Sequence, residues 1–592
     1  MTGLADGTEF EKVMILARCA APRNPALAKF CSGAESGAAA LRVSLPIDKR
    51  SGQTDICRQG RVKSGANPSA FIFVVKRDTS TASTKYDTSL RSHILHCEAI
   101  DVYHQSAMPS ATNGDHELPF GQTVPLWLDG KEIQTSTTYD VTSPLTGKVI
   151  YKSASASVED AEKAILSAQK AFESWSQSKP NDRRDILLKA ADELMKRKDE
   201  LYKVSNGETG EIDSMFGFEI NLAMQACRSA AGLIAAVRGS VPTVTDQGKS
   251  AMVIREPYGV VLSIAPWNAP YVLGLRSVLG PLAMGNTVVL KGSEASPGAY
   301  WEIASILHEA GLPAGCLNTI SHRPSDAAAV TSAIIAHPLV RKVTFTGSTN
   351  TGSIIASQAA KHLKPTLMEL GGKAPTIICE DAKLDEAALG TALGAFLHSG
   401  QICMSTERVL VHAAIADKFK EALKGTLDQV FSNPEGLVLV NEAPVTKNKQ
   451  LLEDAISKGA KVVYGDPKHN SSSKTSMKPV VIENVKEGMD IYHVESFGPT
   501  VSMIVVESDE EAVKIANDTD YGLTAAVFTE DLRRGLRIAK QIKAGAVHIN
   551  SMSVHDESSL PHGGFKKSGY GRFNGLEGLE EWVQTKTITW KD

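Results

Sequence analysis

The pattern of apolar and polar positions changes character along this 592-residue chain. Over residues 1–122 both helical and strand periods are weak, Ser, Thr, Ala and Gly are frequent, and only Phe71-Ile72-Phe73-Val74-Val75 reads as a strand. This stretch is expected to be an extension, disordered or foreign to the fold, and carries no chemistry. Order is expected from Val124. Residues 126–133 read as a hairpin turning at Asp129-Gly130, a second turn is expected over 143–147, and Ser157-Val158-Glu159-Asp160 starts a helix over 161–175. Apolar positions at Ile186, Leu187, Ala190, Leu194 and Leu201 predict one long helix over 180–206.

From Val260 strand-like runs alternate with helical ones. Residues 260–265, 287–290, 317–320 and 342–345 are short apolar strands, separated by helical segments that include 297–310 and 326–336. Buried parallel strands with crossover helices make a doubly wound α/β domain of the kind that suits a dinucleotide. A second α/β unit is expected from Leu370, with strands at 375–378, 408–412 and 524–528, and helices over 387–397 and 415–430. The tail, 585–590, alternates like an exposed strand, and 251–255 is its candidate partner.

Composition removes several classes. A hydrophobic content of 42% supports more than one core, and a formal net charge of −4 gives no reason to expect nucleic acid or an anionic membrane as partner. No apolar run is fit to span a bilayer. Asp6, Glu9 and Glu11 argue against a transit peptide, and Val13-Met14-Ile15-Leu16 is too short for a secretory core. Eight cysteines (19, 31, 57, 97, 227, 316, 379 and 403) contain no CxxC pair, so neither a disulfide framework nor a metal site is expected, and the compartment reads as cytoplasmic.

Cys403 stands out, lying in Gly400-Gln401-Ile402-Cys403-Met404-Ser405 at a bend between a buried helix and a strand. A thiol there is either a nucleophile facing a cleft or a small core residue. Glu369 lies among apolar residues just before Gly371-Gly372. If buried, it should have a raised pKa suited to a general base; a strand carboxylate facing solvent is the plainer alternative. Asn268, in Ala265-Pro266-Trp267-Asn268, is either an oxyanion donor or a turn residue. Gly347-Ser348, with Gly352, begins a helix after a strand and is either an anion cradle or an ordinary cap; it is neither GxGxxG nor a P-loop. Lys291 and Glu294 could hold a ribose or form a solvated pair, and Glu495 with Phe497 could face a second sugar or heterocycle.

These motifs, in this order and at these separations, resemble the aldehyde dehydrogenase superfamily from about Pro125 to the C-terminus. Glu369-Leu370-Gly371-Gly372-Lys373 and Gly400-Gln401-Ile402-Cys403 carry most of the likeness. Gln401 to Arg408, with Tyr570-Gly571-Arg572-Phe573, are similar to the salicylaldehyde, benzaldehyde and vanillin dehydrogenases. The resemblance implies an α/β fold: a Rossmann-like NAD-binding domain (123–238 and 257–369), an α/β catalytic domain (370–562), and a small β oligomerisation arm with the C-terminal tail (239–256 and 563–592). It implies oxidation of an aromatic aldehyde to the acid through a cysteine thiohemiacetal and thioester. Cys403 would be nucleophile, Glu369 base, and Asn268 with the Cys403 N–H the oxyanion hole. NAD rather than NADP would lie against Ile264, Ala265, Pro266, Trp267, Lys291, Glu294, Gly347, Ser348, Gly352, Leu370, Glu495 and Phe497. The expected partners are a small aldehyde and further copies of the chain, as homodimer or homotetramer. A CoA-acylating or a non-catalytic protein on the same fold are the alternatives. Two places depart from the family pattern: the linker 431–443 is short, and His562 stands where Phe is usual, beside the expected pocket.

Overall fold

The structure is a computed structural model that describes residues 16–17, 71–72, 119–469 and 471–591. The chain falls into two units, Met1–Ile94 and Leu95–Asp592. Within the first, the described residues are two short antiparallel strands, Leu16–Ala17 and Phe71–Ile72. The rest of the extension up to residue 118, with Cys19, Cys31, Cys57 and Cys97, lies outside the described residues.

The second unit holds two large sheets. In the first, five parallel strands run in the order Thr366–Glu369, Val340–Thr346, Val260–Ile264, Thr287–Lys291, Leu317–Ile320. The chain moves outward from Val260–Ile264 through helices Pro270–Ala283 and Pro297–Glu309. It then returns to the other side of that strand through Ala327–Ala336. This reversal puts a crevice at the carboxyl ends of Val260–Ile264 and Val340–Thr346, where doubly wound sheets bind ligands. Both sheet faces are covered. One packs on the helices that carry Leu187, Phe216 and Leu275; the other packs on those that carry Ile165, Ile334 and Ile355.

The second sheet is parallel except at one edge. Its middle strand is Thr406–His412, beside Ala374–Ile378, which in turn pairs with Thr524–Phe528. Helices Leu384–Phe396 and Ala416–Val430 cover one face around Phe396, Phe419 and Leu423. Among the described residues no helix is long and apolar enough to cross a membrane.

Local expectations meet three outcomes. The hairpin Leu126–Leu128 with Lys131–Ile133 forms, and Asp129 and Gly130 both take positive φ, 53° and 71°, as a two-residue primed turn requires. Ser157 caps the helix Val158–Trp175 through a capping box with Asp160. The long helix expected over 180–206 is instead two, Pro180–Lys196 and Lys198–Thr209. Arg197 breaks it by leaving helical geometry, and its guanidinium reaches Glu200 and, across the layer, Ser305 and Glu309.

The tail strand Val583–Lys591 pairs antiparallel with Lys249–Pro257 over nine residues. It does not alternate, since every residue after Val583 is exposed. Just before it, part of the stretch read as arm and tail is built into the first sheet. Gly569–Tyr570 pairs with Met368 and Glu369, so this segment clamps the strand that ends in Glu369.

Candidate active site

The crevice at the strand reversal is where the loops singled out in the sequence come together. Beyond Val260–Ile264 lie Ala265, Pro266, Trp267 and Asn268; beyond Val340–Thr346 lie Gly347 and Ser348. Trp267 meets the ring of Phe497 edge-on at 6.0 Å, which joins the first loop to the one that carries Glu495. Ser348 is the N-cap of helix Thr349–Lys361, its hydroxyl 2.9 Å from Thr351 Oγ1. That hydroxyl is therefore committed to the cap, and the free backbone N–H groups of the first helical turn are what remains for an anion. A Cβ at Gly347 would meet the Phe345 ring, and one at Gly352 would strike Leu370, so neither position has room for a side chain.

Lys291 ends its strand beside Glu294; burial lowers the ammonium pKa, and the Glu294 carboxylate opposes the shift. Facing both is His322, which the sequence reading missed. Its Nε2 is buried without a partner, and its pKa is lowered to about 4, first by burial and then by the charge of Lys291. An orphaned ring nitrogen beside an ammonium and a carboxylate suits a polyhydroxyl group such as a ribose. With the narrow glycine turn, this donor set fits a dinucleotide.

Cys403 is the one cysteine among the described residues that is not buried away. Burial pushes the thiols of Cys227, Cys316 and Cys379 up to about 12, marking them as core residues. The loop before Cys403 is strained: His398 and Ser399 have φ of 49° and 62°, ahead of Gly400 at 73°. It is held from outside by the short linker. Ser399 Oγ donates to Val438 O at 2.7 Å, and Val440 N–H donates to Gln401 Oε1 at 2.9 Å. Asn268 Nδ2 donates to Gln401 O at 2.9 Å, which ties the first crevice loop to the cysteine loop and leaves the amide's second N–H for a ligand. Around the sulfur lies an apolar wall of Met215, Leu397, Ile402, Met404, Leu523 and Val554, with Phe218 beside it.

Glu369, 1% exposed, ends its strand with Oε1 3.6 Å from Cys403 Sγ, a distance at which the thiol hydrogen-bonds to the carboxylate. The glycines after it make that approach possible. A Cβ at Gly372 would collide with the Cys403 carbonyl, and one at Gly371 with the Glu495 carboxylate. The expectation of a raised Glu369 pKa is overturned. Burial does push it up, but His562 Nε2 at 3.1 Å from Oε1 and Arg276 Nη1 at 3.3 Å from Oε2 outweigh burial and bring it down to about 2. The Cys403 thiol moves the other way, raised first by burial and then by the Glu369 charge, so at rest it is protonated.

Arg276 and Asp556 complete the site and were not singled out in the sequence; His562, read there as lying beside the expected pocket without a role, joins them. Arg276 is the one charged residue in the otherwise apolar helix Pro270–Ala283, a signal open to reading in advance. Its other guanidinium nitrogen pairs with Asp556, whose Oδ1 accepts from Asn574 Nδ2 at 2.9 Å. Glu495 accepts from Gly372 N–H at 2.7 Å. Its loop is set by Glu407, which takes the N–H groups of Ser496 and Phe497 at 2.8 and 3.0 Å while ion-paired to buried Lys373 at 2.6 Å.

Comparison with known proteins places this geometry. The model described as the aldehyde dehydrogenase family matches residues 129–588. Vanillin dehydrogenase from Pseudomonas fluorescens is 42% identical over 474 residues, spanning 79% of this chain and 97% of that protein. The crystal structure of a salicylaldehyde dehydrogenase from Pseudomonas putida G7, complexed with salicylaldehyde, is 37% identical with a TM-score of 0.76, covering 80% of this chain and 98% of that one. Betaine aldehyde dehydrogenase from Staphylococcus aureus, in complex with NAD+, is 31% identical with a TM-score of 0.75, covering 79% and 94%.

Proposed function

Because the chain belongs to the aldehyde dehydrogenase family, we propose that it oxidises an aromatic aldehyde to the carboxylic acid, with NAD as cofactor and Cys403 as nucleophile. The observation that carries this reading is the Cys403 Sγ to Glu369 Oε1 distance of 3.6 Å against an apolar wall. The thiol gives its proton to Glu369 as sulfur adds to the carbonyl carbon, and the free Asn268 N–H with the Cys403 backbone N–H steadies the oxyanion. A bound nicotinamide supplies the hydride acceptor. Once Glu369 has lost the thiol's proton to solvent, it takes a proton from water, whose oxygen attacks the Cys403 thioester; the C–S bond breaks, the acid is released and the proton returns to the Cys403 sulfur.

Gly347, the first turn of helix Thr349–Lys361, Lys291, Glu294 and His322 would hold the dinucleotide's phosphate and adenosine ribose, while Glu495 and Phe497 lie toward its other end. A carboxylate at Glu294 accepts ribose hydroxyls and disfavours a 2′-phosphate, which supports NAD over NADP. Met215, Phe218, Ile402, Met404 and Leu523 offer an aromatic ring apolar contact. The exposed ribbon of Lys249–Pro257 and Val583–Lys591 shows Met252, Ile588 and Trp590 to solvent and is the surface for assembly into a dimer or tetramer in the cytoplasm.

The test is NADH formation with benzaldehyde, salicylaldehyde, vanillin and a straight-chain aldehyde, with the product identified. The expected result is NAD-dependent conversion of the aromatic aldehydes to acids. It is lost by at least about a thousandfold in Cys403→Ala, with NAD affinity kept. Preference for the straight-chain aldehyde overturns the substrate class; an acyl-CoA product overturns hydrolysis.

A further inference from the structure

The Cys403 thiol and the His562 imidazole converge on the same atom. Glu369 Oε1 lies 3.6 Å from Cys403 Sγ and 3.1 Å from His562 Nε2, while Arg276 holds the other oxygen at 3.3 Å. Opposite, His562 Nδ1 lies 3.9 Å from Asp556 Oδ1, too far for a hydrogen bond. His562 is itself fixed: its backbone pairs with Phe573 in both directions, at 2.9 and 2.8 Å. The Phe573 ring in turn lies 5.9 Å from the Arg276 guanidinium. Glu369, Arg276, Asp556 and His562 are each less than a tenth exposed, so their charges act through little water. From the strand Ala546–Ile549, His548 also feels His562 and lies with its ring centre 4.8 Å from that of His555, the planes tilted by 50°; burial, then His555 and His562, lower its pKa to about 4.

We propose that His562 is a positioning residue that sets the basicity of Glu369, holding Oε1 ionised and aimed at Cys403, and so fixes the acid limb of the pH profile. A phenylalanine at this position offers Oε1 no donor. The proposal rests on Glu369 acting as the base in the reaction described above. With His562 present, Glu369 accepts a proton only weakly but stays ionised to lower pH. Without it, burial prevails over Arg276: the carboxyl becomes neutral over a wider acid range and is a stronger base once ionised.

The experiment is the pH dependence of kcat and of kcat/KM in the wild type, His562→Phe and His562→Gln. The expected result for His562→Phe is an acid limb moved up by about one pH unit or more, with the alkaline plateau held or raised and the aldehyde KM within about threefold. Gln keeps an N–H donor without the charge, and its limb falls between the two. Infrared spectra give a readout independent of turnover: a protonated carboxyl band appears on acidification at higher pH in His562→Phe than in the wild type, and is absent in His562→Phe/Glu369→Gln. An unmoved limb and band, or a plateau lowered equally at every pH in both variants, overturns the proposal. If Glu369→Gln alone leaves turnover intact, the failure lies with Glu369 as base. In that case the infrared band still reports whether His562 controls the carboxyl.

Discussion

Two carboxylates flank the same pair of glycines and end in opposite states. Glu369, before Gly371-Gly372, and Glu495, which accepts the Gly372 N–H, are both desolvated. Glu369 faces the Arg276 guanidinium and the His562 ring nitrogen, and its pKa falls to about 2. Glu495 has a backbone donor in Gly372, while Glu407 pairs with Lys373, and the charges of Lys447 and Lys373 oppose the rise of the Glu495 pKa only weakly. Burial, then the Glu407 charge, lifts Glu495 to about 7. Burial alone therefore does not prepare a base; the partner set decides. The carboxylate beside the sulfur is kept charged, and the one on the far side of the glycines is poised to change charge near neutrality.

The largest effect that distinguishes them is Glu369→Gln. Gln keeps the shape but cannot take a proton, so thioester hydrolysis is expected to fall by about a hundred- to a thousandfold while the first turnover persists. Stopped-flow mixing would show a burst of NADH followed by a slow steady state; equal slowing of both phases would remove Glu369 from the hydrolytic step. The corresponding change at Glu495 gives no burst.

The glycines sharpen the contrast with a smaller effect. An alanine methyl at Gly372 meets the Cys403 carbonyl, a backbone atom that cannot yield without moving the Cys403 side chain. At Gly371 it meets only the tip of the Glu495 side chain, which can swing away. Gly372→Ala is expected to lower kcat by about ten- to a hundredfold through misplacement of the sulfur. Gly371→Ala should chiefly weaken NAD binding. Similar losses in kcat for both would mean that the loop moves as one piece.

What could be read in advance follows the same division. The apolar runs from Val260 onward carry their own period, so the parallel strands and the loops at their ends were legible, as were the Ser157 capping box and the Asp129-Gly130 turn. Cys403, Glu369 and Asn268, which the structure brings together, were singled out because each sits at a turn bounded by Gly or Pro. What failed was the electrostatics. Glu369 lies among Leu367, Met368 and Leu370, and nothing nearby in sequence shows that Arg276 and His562, 93 and 193 positions away, converge on it. The break at Arg197 was hidden for a like reason, since its guanidinium is drawn across a packed layer to residues more than a hundred positions away. Charge partners are a product of the completed fold and leave no local period.

The smallest effect concerns stability at Glu495. Its folded pKa, about 7, lies above the ordinary 4.5, so the folded state holds the proton more tightly than the unfolded chain. The sign follows: ionisation disfavours folding, with no penalty below about pH 4.5 and the full penalty only above about pH 7. With allowance for its partly exposed edge, the penalty is on the order of 2 kcal/mol. Glu495→Gln mimics the protonated form. It should leave the thermal midpoint unchanged at pH 4.5 and raise it by a few degrees at pH 8, as followed by calorimetry without cofactor. Glu369→Gln should instead lower the midpoint at both pH values, since a folded pKa of about 2, below the ordinary 4.5, means that the ionised carboxylate already stabilises the fold at pH 4.5. If Glu495→Gln were destabilising at pH 8, the Lys447 and Lys373 charges would have to outweigh burial and Glu407 at that carboxylate, and the two sides of the glycines would be electrostatically alike.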